Sequence, residues 1–427
     1  MLFERQPERN CIVGFDLRDD FCQMSWCVLG KGQEAPEPVT WSAVPGEERF
    51  NIPTVLCREN GANRWQFGTA AAARLSDPGV TYVPHLLSQA VEGAGVAIGD
   101  EVYDAEALLS RFINQCLKDL SAELPQGVPV SIMFTAPQMD SRTIAVLENV
   151  RKRLNLRGEV WYQSHGGSYY DFMLHEERGL REPGTALFEY EDGGSLRVTR
   201  LHFNVNSRPI VAYQDESEYP GLQSQSDAGR DEEFSRLVRS ELAGRNYASV
   251  YLIGSGFRSG WMKKSVSVLC AGGRRAFLGG NLFSKGAAYG AIYRMQPPPI
   301  LSDYFFLDRN KLRTNVLIRA LVHGKEETVT LLEAGVNWYE AHGTAELILD
   351  GTGELNLLLK PLTGGEEKPF HIRLEGLPVR EGRITRVRLT FSMRSADKLV
   401  LLIEDLGFGD TFPTSGLKWE QTITLQG

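Results

Sequence analysis

Four short turns built on glycine occur along this chain in a fixed order, each following or separating apolar runs. They are Ile12-Val13-Gly14-Phe15-Asp16-Leu17, Glu189-Tyr190-Glu191-Asp192-Gly193-Gly194-Ser195, Leu252-Ile253-Gly254-Ser255-Gly256 and Lys285-Gly286-Ala287-Ala288-Tyr289-Gly290. A residue without Cβ lets backbone come close to a phosphate or a flat ring, and successive turn amides make a concavity for an anion. One such turn constrains little. Four in order, each beside a strand or a packed helix, call for a fold that gathers them around a cleft.

The flanking segments supply that fold. Residues 11–17 and 21–29 read as a β-hairpin turning through Arg18-Asp19-Asp20, and 54–57 and 65–67 are expected to continue its sheet. Ala105, Leu108, Leu109, Phe112, Ile113, Cys116, Leu117 and Leu120 share one helical face behind Asp104, a candidate N-cap. A strand at 128–135 follows, then a helix capped by Ser141.

The pattern then restarts: a hairpin at 185–190 and 196–205, a helix at 232–242, a strand at 249–253 and a helix at 285–293. Residues 213–230 are polar and acidic and read as a loop. A hairpin followed by alternating helix and strand, twice over, predicts two pseudo-repeated α/β lobes. Pro297-Pro298-Pro299 ends the second. Alternating runs at 345–349, 355–359, 370–374, 386–391 and 398–403 predict an antiparallel β-sandwich beyond it. The expected domains are 1–155 and 156–297, a linker at 298–309, and the sandwich at 310–427.

A chain of 427 residues is too long for one ordinary core. Its net charge of −8 argues against binding a phosphate backbone as the main task. The six cysteines show no metal-ligand spacing, and several of them, within apolar strand patterns, read as core residues of a reducing compartment. Met1-Leu2-Phe3-Glu4-Arg5 has no apolar signal region and no run is long enough to span a bilayer, so the expectation is a cytoplasmic protein without nucleic-acid or membrane partners.

These segments resemble the seventy-kilodalton heat-shock (DnaK-type) chaperones of the actin-like ATPase superfamily. Gly14-Phe15-Asp16-Leu17 is similar to the family's first phosphate loop, and Ile52-Pro53-Thr54-Val55, Trp65-Gln66-Phe67-Gly68 and Phe134-Thr135-Ala136-Pro137 to its next segments. Phe188-Glu189 resembles the start of the second phosphate loop. Gly254-Ser255-Gly256 and Ala287-Ala288-Tyr289-Gly290-Ala291 resemble the adenosine segment and its helix. Asp303-Tyr304-Phe305-Phe306-Leu307-Asp308 is similar to the apolar interdomain linker, and Ile372-Arg373-Leu374-Glu375-Gly376-Leu377-Pro378 to a segment of the substrate-binding β-domain. The resemblance implies a two-lobed actin-like α/β fold followed by an all-β sandwich without a helical lid. It places ATP or ADP at Gly14, Asp16, Glu189, Gly193, Gly194, Ser195, Gly254, Ser255, Gly256, Lys285 and Tyr289, with Mg²⁺ at Asp16.

The departures point away from turnover. Arg18, Asp19 and Asp20 stand where the family has a glycine and two hydroxyls; they crowd the phosphates, and the two carboxylates repel them. The catalytic lysine of the family finds no counterpart between Pro84 and Leu86, and its later loop aspartate falls near Arg197. Phosphoryl transfer needs placed charge and in-line geometry, and most of those parts are missing. The leading reading is a degenerate chaperone-like protein that binds polypeptide or a partner protein, with hydrolysis weak or absent. An active ATP-dependent chaperone and an actin-type scaffold are the alternatives. His165 is either an acid/base or a turn histidine with an ordinary hydrogen bond. Arg274-Arg275 either meets phosphate or is a solvated pair, and Phe305-Phe306 either docks between the lobes or enters the sandwich.

Overall fold

Arg9–Leu17 is buried along nearly its whole length, because it is central in its sheet and covered on both faces. It pairs antiparallel with Phe21–Gly30 and parallel with Val130–Ala136. A strand so enclosed reads as a continuous apolar run, not an alternating one. In the computed structural model, residues 9–425 are described apart from 33–35, 45, 259, 350–352, 363, 365, 379 and 381–384. The N-terminal Met1–Arg5 segment lies outside the described residues.

The chain forms two compact units, Met1–Phe306 and Leu307–Gly427. In the first unit, one sheet runs in the order Val160–Ser164, Val130–Ala136, Arg9–Leu17, Phe21–Gly30, Val39–Thr40. The other runs Arg275–Gly279, Ser249–Ile253, Gly184–Tyr190, Leu196–Asn204, Ile210–Tyr219, Tyr304–Leu307. Each has the same plan: a central strand with an antiparallel hairpin partner on one side and two parallel strands on the other. The repeat legible in the sequence is therefore present in the topology.

Two helices fill the space beside these sheets. His165–His175 lays Tyr169 and Met173 against Leu187 and Leu201 of the second sheet. Leu282–Met295 lays Ala287, Ala288 and Ile292 against Ile12 and Met133 of the first. They pack closely on one another because Gly286 lies against the Ser168 backbone, where a Cβ would clash.

Two expectations are corrected. Leu56–Glu59 and Trp65–Phe67 do not continue the first sheet; with Val80–Val83 they form a separate three-stranded sheet over Val55, Cys57, Ala71 and Val80. Residues 213–219 belong to a strand, Ile210–Tyr219, not a loop. Only Ile210 and Ala212 are buried along it, so the hydrophobic pattern is too weak to read. Cross-strand polar pairs hold it instead, Arg200 to Asp215 and Ser195 to Glu218. The Asp227–Leu242 helix begins within the remainder of that span.

In the second unit two antiparallel sheets run Lys325–Leu332, Thr314–Val322, Glu354–Pro361, Lys368–Arg373 and His342–Leu349, Thr385–Ser395, Lys398–Asp405, Lys418–Thr424. Alternation is plain in Thr385–Ser395, where Val387, Leu389, Phe391 and Met393 are buried and their neighbours are not. Among the described residues no helix is long and apolar enough to cross a membrane.

Candidate functional site

The first hairpin carries a carboxylate near the end of a strand that is apolar from Cys11 to Phe15, and everything at the site follows from how that charge is met. Asp16 is 1% exposed. Its Oδ1 accepts a hydrogen bond from His165 Nε2 at 2.7 Å and its Oδ2 one from Arg18 Nε at 3.1 Å. Burial pushes the Asp16 carboxyl up, but the facing Arg18 and His165 outweigh it and hold the group below the usual carboxylate range. Since the ionised carboxylate only accepts, His165 carries its proton on Nε2.

Helix geometry puts His165 there. Ser164 caps the helix by accepting from the Gly167 amide at 3.0 Å. That leaves His165 in the first turn, stacked on Phe283 with ring centres 3.9 Å apart. Its Nδ1 is buried without a hydrogen-bond partner among the described residues. The Arg18 guanidinium lies over Phe21 and Phe283, 5.0 and 5.1 Å from the ring centres, and 3.6 Å from Glu189. Asp16, Arg18, His165 and Glu189 thus form one alternating charge cluster between the two hairpins.

Beside it is a cavity of about 240 Å³, bordered by Arg18, Glu189, Glu191, Gly194, Arg197 and Arg258 among others. Glu191 is engaged there, accepting from the Ser255 amide at 2.9 Å and the Ser255 hydroxyl at 2.5 Å. The chain's own carboxylate therefore occupies an amide of the turn that was expected to meet the nucleotide's adenosine part.

The residues expected at the site separate into four groups. Asp16, Glu189, Gly194, Ser195 and Gly254 lie in the cluster or border the cavity, with Ser195 donating to Glu218 at 2.7 Å. Gly193, at φ +80°, serves the hairpin turn. Gly14, Gly256, Lys285 and Tyr289 do structural work. Gly14 abuts the backbone of Ser284 and Ala288, and Gly256 abuts the Tyr190 ring, so neither faces open space. Lys285 pairs with Glu37 at 2.6 Å, and Tyr289 is buried against His175 at 3.9 Å. Ser255 is tied to Glu191, as above.

The Mg²⁺ expected at Asp16 would meet an unfavourable setting. Both its oxygens are taken by nitrogen donors and a guanidinium stands beside it, which a divalent cation would oppose. Among the described residues no group of three or more His, Cys, Asp or Glu is placed to hold a metal. The expected repulsion by Asp19 is corrected: it turns to His85 and the Ser88 amide, 2.8 and 2.9 Å away. Arg274 donates to the Leu269 and Val268 carbonyls at 3.0 and 2.7 Å, closing the end of a helix.

Arg18 as the counter-ion of Asp16, the Glu191–Ser255 contact and the presence of Arg197 and Arg258 at the cavity were not foreseen. Arg197 was within reach of counting, because pairing outward from the Gly193 turn sets it opposite Glu189. Arg258 was not, since only the fold brings it there.

Residues 37–309 match the C-terminal part of a family of unknown function, DUF5716. The chain belongs to that family. The matched span includes His165, Glu189, Arg197 and Arg258, and begins after the hairpin that carries Asp16 and Arg18. Residues 311–425 match a domain of unknown function, DUF8552. No curated protein matches the sequence.

Proposed function

We propose that this chain is a degenerate chaperone-like protein of the cytoplasm, with two actin-like lobes that do not turn over ATP and a β-sandwich that binds a polypeptide or one dedicated protein partner. The observation that carries this reading is the closed Asp16–Arg18–His165 contact. It fills with fixed internal charge the position where a metal-bound phosphate would need an open carboxylate. The doubled sheet plan of the first unit supports the actin-like assignment. For the sandwich, the outer strands Lys325–Leu332, Lys368–Arg373, His342–Leu349 and Lys418–Thr424 each have a side unpaired within their sheet, and an extended peptide adds to such an edge by backbone hydrogen bonds.

Phosphate release from ATP with Mg²⁺ is expected to match the blank. A rate clearly above it, lost in Asp16→Ala while the variant's melting curve shows a folded protein, would end this reading. Fluorescence anisotropy of the full chain with a panel of apolar peptides tests the binding half. Weak, fast-exchanging binding supports it; absence of binding together with no partner recovered from the native cell removes it.

A further inference from the structure

Three guanidinium groups border the cavity, and they are not equally engaged. Arg18 is held by Asp16 and approaches Glu189. The guanidinium groups of Arg197 and Arg258 make no ion pair or side-chain hydrogen bond among the described residues. Arg197 is half-buried in the Leu196–Asn204 strand, and Arg258 follows the short helical turn Ser255–Phe257. The carboxylates nearby are engaged elsewhere: Glu191 bonds Ser255, and Glu189 and Glu218, the cross-strand neighbours of Arg197, approach Arg18 and accept from Ser195, respectively.

We propose that Arg197 and Arg258 form a metal-independent site for a compact, multiply charged oxyanion, smaller than a nucleoside triphosphate. The proposal rests on the reading that this cleft does not process metal-bound ATP. Size and chemistry both favour it. The cavity, about 240 Å³, falls below the ~300–1,000 Å³ of sites that enclose a drug-sized ligand. A guanidinium presents a planar fork of donors that meets a phosphate or carboxylate two atoms at a time, and it keeps its charge at any physiological pH. Gln23 and Asn51 also border the cavity with amide groups, already joined by a Gln23 Nε2 to Asn51 Oδ1 hydrogen bond of 2.5 Å. Phosphate esters and small polycarboxylates share this chemistry.

The test is calorimetric titration of the full chain in EDTA with inorganic pyrophosphate and, separately, citrate, repeated with Mg²⁺ and with ATP. The expected result is binding of at least one small probe without metal. Arg197→Gln with Arg258→Gln should weaken it at least tenfold, the unliganded melting temperature staying unchanged. Preference for pyrophosphate assigns a phosphate ester, and preference for citrate a polycarboxylate. The site is overturned if neither probe binds more tightly than about 1 mM in EDTA, if binding requires Mg²⁺, or if the folded double variant binds as well as the parent. ATP hydrolysis, measured apart, decides the reading on which the site rests; its presence would leave a metal-free pyrophosphate isotherm to be judged on its own.

Discussion

A methyl group added at Gly14 would fall inside the backbone of the Leu282–Met295 helix, at Ser284 and Ala288. Helix backbone cannot swing aside as a side chain can, so Gly14→Ala is expected to cost about 3 kcal/mol. Gly193→Ala is the useful contrast. Its neighbourhood is open and only its φ of +80° resists the change, a cost of about 1 kcal/mol. Urea unfolding of both variants checks the order, and equal losses would refute the close-packing account. Asp16 gives a pH dependence whose sign follows from its lowered pKa. The folded state holds the ionised form more strongly than the unfolded chain does. Its contribution is therefore complete above the ordinary carboxylate value and is lost as pH falls below it. Asp16→Asn should flatten the acid side of the stability curve; an acid side as steep as the parent's would remove Asp16 from that role.

The Tyr304–Leu307 strand extends the second sheet of the first unit, so the apolar segment expected to link the domains is an element of that sheet. Phe306 stacks on Tyr170 with ring centres 4.2 Å apart, and the Tyr304 hydroxyl takes a hydrogen bond from Arg181 at 3.1 Å. Phe306→Asp puts a carboxylate where Tyr170 of the His165–His175 helix supplies apolar contact, which is unfavourable without a partner. The strand should detach, and cleavage near Ser302 by an added protease should accelerate at least several-fold. Unchanged cleavage would show that the aromatic pair does not hold the strand. The sandwich has its own pinned element. Asp405 takes two bonds from Arg380, at 2.7 and 2.8 Å, and others from Ser415 and the Gly407 amide. Arg380, ahead of burial, drives its pKa down strongly, so this loop too is expected to loosen on acidification and not on alkalinisation.

Each unit has a buried core of its own, and this makes their stabilities separable. Asp405→Ala leaves the Arg380 guanidinium buried without its carboxylate, a loss of about 3–5 kcal/mol. In differential scanning calorimetry one transition should move down while the other, which Gly14→Ala moves, stays in place. Both variants shifting every transition equally would mean the chain unfolds as one cooperative body.

Elements whose signals are local could be read from the residues alone. Period-2 runs marked most sandwich strands, the apolar face from Ala105 to Leu120 marked a helix capped by Asp104 as expected, and the two hairpins showed through their turns. The doubling of the α/β plan was legible for the same reason. What tertiary structure alone decided is which side chains share a space. Gly14 and Lys285 belong to motifs that read as ligand contacts, yet a neighbouring helix and Glu37 meet them. His165 reaches Asp16 from 149 positions away, and Arg18 looks like a surface turn residue until Phe21, Phe283 and Asp16 close around it. A charge reveals its partner only when the chain has folded, because Coulomb energy depends on distance in space and not along the sequence.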